Sequence, residues 1–144
     1  MAINSRVARS VRDMRSKLRD LAAAEHGEAA AAKKRAETQI ALEEMLLEDT
    51  LDEAEDTLTG ITSVYALDSV AGLVECQRLA ITTAQHAHSA AAEVTNLAEA
   101  RLRARIRQLK TAERVVEMVK EERDVRDAKA EQLANDDLAS SRMK

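Results

Sequence analysis

Eight carboxylates stand within fourteen residues of this chain: Glu43, Glu44, Glu48, Asp49, Asp52, Glu53, Glu55 and Asp56. Such density invites a divalent cation, but an EF-hand loop needs a non-helical, oxygen-rich segment turned by glycine. Here Leu46, Leu47, Leu51 and Leu58 keep helical spacing through the acids, so the stretch reads as a solvated acidic helix face suited to docking on a basic surface. The histidines give no metal pattern either. A di-iron bundle would show Glu-x-x-His pairs, whereas Ala23, Thr83 and Gln85 stand three before His26, His86 and His88. His86 and His88 are two apart and diverge on a helix. No glycine-rich phosphate loop exists among Gly27, Gly60 and Gly72, and no serine, cysteine or histidine set offers a nucleophile. The residues therefore predict no catalysis, no metal, no cofactor and no small-molecule substrate.

The elements that must position these residues are helical. The chain has no proline, and nothing else in it breaks a helical ladder so firmly. Alanine, leucine, glutamate and arginine favour helix, and Tyr65 is the single aromatic residue, too little for an enclosed aromatic core. The expected fold is all-α, a two-helix antiparallel coiled-coil hairpin in one domain over 1–144. Helix 1 is expected over about 4–65, the turn at about 66–69 and helix 2 over about 70–139. Asn4 or Ser5 is the expected cap of the first helix and Asp68 or Ser69 of the second, with Gly60 and Gly72 bracketing the midpoint.

The seam of the first helix is read as Val7, Val11, Met14, Leu18 and Leu21, resuming after an alanine-rich slip at Ile40, Leu47, Leu51, Ala54, Leu58, Ile61 and Tyr65. The second seam is Leu102, Ile106, Leu109, Ala112, Val116 and Val119. A turn centred near residue 69 sets position i opposite 138 minus i. Ala29 to Ala32 then face Ile106 and Leu109, Leu47 and Leu51 face the alanines at 87 to 91, and Leu18 and Leu21 face Val119 and Val116. At a rise of 1.5 Å per residue the arms would make a rod roughly 90 Å long.

Charge is distributed unevenly. Residues 36–100 hold one basic side chain, Arg78, against thirteen acidic ones, while the two ends together hold twenty-one basic and thirteen acidic. In the same register Arg6, Arg12, Arg15 and Lys17 fall beside Glu121, Glu122, Asp124, Asp127 and Glu131, and pair across the open end. A positive waist is left over, with Lys33, Lys34 and Arg35 opposite Arg101, Arg103, Arg105 and Arg107. Like facing like costs stability, so the waist invites an acidic partner; the plainer alternative is that these long side chains snorkel from a solvated face. Nucleic acid is disfavoured because no aromatic platform exists for bases. The lone Cys76 makes no internal disulfide, no apolar leader follows Met1, and no apolar run is long enough to span a bilayer, so a cytoplasmic protein is expected.

The run Arg101-Leu102-Arg103-Ala104-Arg105-Ile106-Arg107-Gln108-Leu109-Lys110, continuing through Val115 to Arg123, resembles the second long helix of the FliJ/YscO family of type III secretion stalk proteins. The acidic close from Glu131 to Ala139 and the arginine-interleaved opening from Val7 to Leu21 are similar as well. The resemblance covers the whole chain and rests on architecture rather than on an invariant motif. It implies a stalk whose terminal end sits in the pore of the hexameric type III secretion ATPase and whose other end reaches the export gate, with export chaperones as further partners. The protein would then lie at the cytoplasmic face of the inner membrane, peripheral to it. Arg9, Arg12, Arg101, Arg105 and Arg107 are the expected contacts with the ring. Family members often carry several aromatics toward the turn, where this chain has only Tyr65.

Two other classes fit the same residues. A coiled-coil scaffold or homodimer would gain stability by associating into four helices, using a second apolar flank at Ile81, Val94 and Leu97. A holdase-type chaperone would use the apolar turn, Tyr65 and Leu67 above all, to hold clients.

Overall fold

The computed structural model describes residues 4–59 and 63–143. It is an all-α helical hairpin of two long helices packed against each other, α1 over Ser5–Leu58 and α2 over Val64–Arg142. Asn4 starts α1 as expected, its Oδ1 accepting the Arg6 N–H at 2.9 Å. At the other end the Thr59 N–H still donates to the Glu55 carbonyl at 3.2 Å, and the Thr59 hydroxyl donates to the Asp56 carbonyl at 2.9 Å.

The turn comes earlier than the sequence suggests. Ser63 Oγ accepts the Ala66 N–H at 3.1 Å and so caps α2, which places residues 66–69 in the first turns of α2 and puts Tyr65 on α2 rather than α1. Ser69, an expected cap, lies inside the helix and donates its hydroxyl to the Tyr65 carbonyl at 3.0 Å, as mid-helix serines do. Gly72 is also interior to α2. Gly60, Ile61 and Thr62 lie outside the described residues.

Moving the turn moves the register. Arg15 Nη1 donates to the Gln108 carbonyl at 2.9 Å, His88 Nε2 meets Glu37 Oε1 at 3.2 Å, and Gln77 Nε2 donates to Thr50 Oγ1 at 2.6 Å. Facing positions therefore add up to roughly 125 rather than 138. The small-to-large pairs expected from the later turn are displaced with it. Thr50 also donates to the Leu46 carbonyl at 2.8 Å, so Gln77 closes a small polar clasp between the helices. Gln77 Oε1 is buried there without a partner.

The core is made of alanine. Ala8, Ala22, Ala29, Ala54, Ala84, Ala98 and Ala112 are buried, joined by Leu109. On α2, Ala84, Ala98 and Ala112 recur at multiples of seven, with half-buried Ala91, Arg105 and Val119 filling the series. On α1, Ala8, Ala22 and Ala29 do the same, and half-buried Arg15, Ala36, Glu43 and Thr50 continue it. Small side chains allow close helix approach, and interaxial distance follows the residues at the contact.

The expected seam of α1 holds in part: Ala54 is buried and Val11, Leu18, Ile40, Leu47 and Leu58 are half-buried, while its other described positions turn outward. Val7 and Met14 are each 54% exposed and Leu21 58%, while Arg12, Arg15 and Arg19 are half-buried. The seam expected on α2 holds at Leu109 and Ala112, which are buried, and at Leu102, Val116 and Val119, which are half-buried; Ile106 is exposed.

Two compact units share the helices: Met1–Ala23 packs with Arg101–Lys144, and Ala24–Ala100 forms the other. In the first, every described residue of α2 from Lys120 onward is exposed, because α1 starts opposite that point and runs the other way. The single-helix stretch is supported by i,i+4 ion pairs, Arg123 with Asp127 and Arg126 with Glu122, both at 3.7 Å.

Candidate functional site

The two units coincide with the two signs of charge. Residues 1–23 and 101–144 hold eighteen basic and eleven acidic side chains, and residues 24–100 hold four basic and fifteen acidic. The candidate site is thus a pair of oppositely charged surfaces, most of whose charged residues lie outside the alanine seam, with Arg15, Glu43 and Arg105 half-buried within it.

Among the described residues Arg6, Arg12, Arg15 and Lys17 make no ion pair with the acidic stretch expected to face them. The displaced register sets α1 against the part of α2 before Lys120, so the stretch from Glu121 to Glu131 has passed the start of α1. Arg12 Nη2 instead meets Asp13 Oδ1 at 2.7 Å, and Arg19 Nε donates to Asp20 Oδ1 at 2.9 Å. These are neighbours on one helix, each a half-buried arginine beside an exposed aspartate, and surface pairs of this kind are worth about 0–1 kcal/mol each. Arg9 lines a shallow cleft with Ser5, Ala8, Val116 and Val119, and Asp124 and Asp127 of the acidic stretch line it as well, at the place where α2 runs past the start of α1.

The positive waist is divided. Lys33, Lys34 and Arg35 belong to the unit of residues 24–100, and Arg101, Arg103, Arg105 and Arg107 to the other. The expected facing of like charges came from the later turn and falls with it. Lys33 is half-buried, while Lys34 and Arg35 are exposed. Among the four arginines Arg105 is half-buried, its Nη1 donating to Gln108 Oε1 at 3.1 Å, and the other three are exposed.

In the turn-end unit α1 runs unbroken through the eight carboxylates from Glu43 to Asp56, all exposed except the half-buried Glu43. No group of three or more His, Cys, Asp and Glu side chains among the described residues is placed to hold a metal ion. His88 is spent on its contact with Glu37. At the start of α2, Tyr65 is 83% exposed, beside exposed Val64 and Leu67.

Sequence reasoning missed two features. One is the lateral apolar lane of α1, where Val7, Met14, Leu21 and Leu42 stand in one heptad position and are all exposed. The other is the polar clasp at Gln77. The signal for both was the heptad spacing of alanine, which marks the true seam and leaves the larger apolar residues beside it.

The family model of the flagellar FliJ protein matches residues 9–144, nearly the whole of this sequence, and the chain belongs to the FliJ family. That family serves flagellar type III export and consists of structural and escort proteins rather than enzymes. No curated protein and no solved structure matches the chain. Among the described residues no helix is long and apolar enough to cross a membrane.

Proposed function

We propose that this chain is the central stalk and escort of a type III protein export apparatus, working at the cytoplasmic face of the inner membrane. In this reading the basic unit of residues 1–23 and 101–144 enters the pore of the hexameric export ATPase. The acidic unit reaches toward the export gate and receives export chaperones. The observation that carries the reading is the FliJ-family match over residues 9–144, on a chain whose structural units divide at its change of charge. A part that joins two different machines needs two different surfaces, and electrostatic complementarity governs the choice and speed of encounter more than final affinity.

Within the basic unit, Arg9, Arg12, Arg101, Arg105 and Arg107 are assigned to the ring. At the other end exposed Tyr65 and Leu67 are assigned to the gate or to chaperones. Lys33, Lys34 and Arg35 form a separate basic step within the acidic unit, available to an acidic partner.

The test is binding of the chain to its host's export ATPase, with hexamer formation and turnover read together. Wild-type chain should bind and raise turnover, and a variant carrying Arg101→Glu, Arg105→Glu and Arg107→Glu should bind about tenfold more weakly, the equivalent of roughly 1.4 kcal/mol. Equal binding by the two would remove these arginines from the contact. No binding by either would remove the stalk assignment.

A further inference from the structure

Within the unit of residues 24–100, α1 covers Leu47, Thr50 and Ala54 and leaves Leu42, Met45 and Leu46 exposed. Spacings of three, four and seven residues put Asp49, Glu53 and Asp56 on the same face as those three apolar side chains, and these carboxylates are exposed too. The face is apolar at one end and acidic at the other. Its charge is unmixed, since no basic residue occurs from 36 to 77 and Arg78 is the only one up to 100. Among the described residues Asp49, Glu53 and Asp56 have no ion pair. They stand instead beside one another, Asp49 with Glu53 at i,i+4 and Glu53 with Asp56 at i,i+3, spacings at which like charges weaken a helix.

From this face we infer that α1 docks a basic amphipathic helix of another protein. Apolar side chains of the partner cover Leu42, Met45 and Leu46, and its lysines or arginines meet Asp49, Glu53 and Asp56. The partner is basic because this face offers it carboxylates alone, and it is apolar on one side because half of the face is. A helix is the matching element: the face runs along the axis of α1, and its side chains recur at the spacing that helices interdigitate. From Leu42 to Asp56 the face is about 21 Å long, so the partner needs about fourteen residues. A second copy of the chain supplies the wrong surfaces. The apolar residues among its arginines from 101 to 110 belong to the seam, Leu109 buried and Leu102 half-buried, and its exposed Val7, Met14 and Leu21 have Asp13 and Asp20 beside them as well as arginines. The face is separate from Tyr65 and Leu67 on α2, and the inference does not rest on the stalk reading.

The experiment is titration of the full chain with a leucine–lysine peptide of about twenty residues whose leucines fall on one helical face, at about 0.15 M salt. A second peptide of the same composition has its leucines spread around the helix. The amphipathic peptide should bind at least about tenfold more tightly than its isomer. Leu42→Ser with Leu46→Ser should weaken its binding about tenfold, and so should Asp49→Asn with Glu53→Gln and Asp56→Asn. Glu44→Gln with Glu48→Gln and Glu55→Gln removes as many carboxylates from another face of α1 and should change binding less than about twofold. All of these positions are exposed, and circular dichroism of the free variants should show unchanged helix content. Equal binding of the two peptides, or equal loss from the two sets of carboxylate changes, overturns the inference and leaves only general attraction of cations to an acidic helix. Failure of the amphipathic peptide to bind overturns it as well. So does sedimentation of the free chain as a dimer that Leu42→Ser with Leu46→Ser dissociates, which would give the face to a second copy. Because the ATPase is absent, none of these outcomes bears on the stalk assignment.

Discussion

Gly72 shows how one residue type supports two readings. In the sequence it marks a turn, because glycine is the common residue where the chain must bend. In the structure it sits inside α2, and a methyl group built on it meets nothing within 4 Å. Its only effect there is conformational freedom in the unfolded chain, so Gly72→Ala should raise stability by about 0.5–1 kcal/mol, read as a shift in the urea midpoint. Had Gly72 belonged to the turn in a left-handed conformation, the same change would destabilise. The turn was misplaced for a related reason. Ser63, Asp68 and Ser69 are all competent caps, and a single chain offers no local rule for choosing among them; Ser63 is the one whose hydroxyl meets a free N–H of the first turn.

At the scale of the helices, fold class and helix type were legible, because a proline-free run of strong helix formers leaves little alternative. The seam was legible in part. Val7, Met14 and Leu21 give the strongest apolar periodicity in α1, and hydrophobicity alone selects them. Close approach selects instead for the smallest side chain, and alanine carries too little hydrophobic signal to compete in such a reading. The α2 seam was read more faithfully because Leu109 and Ala112 share it. This account makes a specific demand of the buried alanines. Ala98→Leu adds three carbons where the structure has no space between helices, and it should cost about 1–3 kcal/mol, measured by chemical denaturation. Leu97→Ala, next to it in sequence but 62% exposed, should cost far less. Equal losses at the two positions would mean that Leu97 carries as much of the packing as the alanine seam.

For the molecule as a whole, the charge division was legible in the sequence, and its coincidence with two structural units became visible only in the fold. The basic candidate residues were found by their type, whereas their arrangement depended on a register that no charge pattern could fix. Amide exchange is expected to follow the packing rather than the helix content. At concentrations where the chain is monomeric, amides from Glu121 to Arg142 should exchange much faster than those from Gln77 to Val119, because the former lie on a helix without a neighbour. Uniform protection along α2 would contradict the register. The alanine seam has one more consequence. Ala29 and Ala36 on α1, like Ala84, Ala91 and Ala98 on α2, stand seven residues apart, so in that stretch a slip of one heptad sets alanine beside alanine again. Such a seam works like a ruler with unnumbered divisions: it fixes the spacing between marks but not which mark is zero. The zero is supplied by the polar contacts of Gln77 with Thr50 and of His88 with Glu37, which a slipped pairing cannot reproduce.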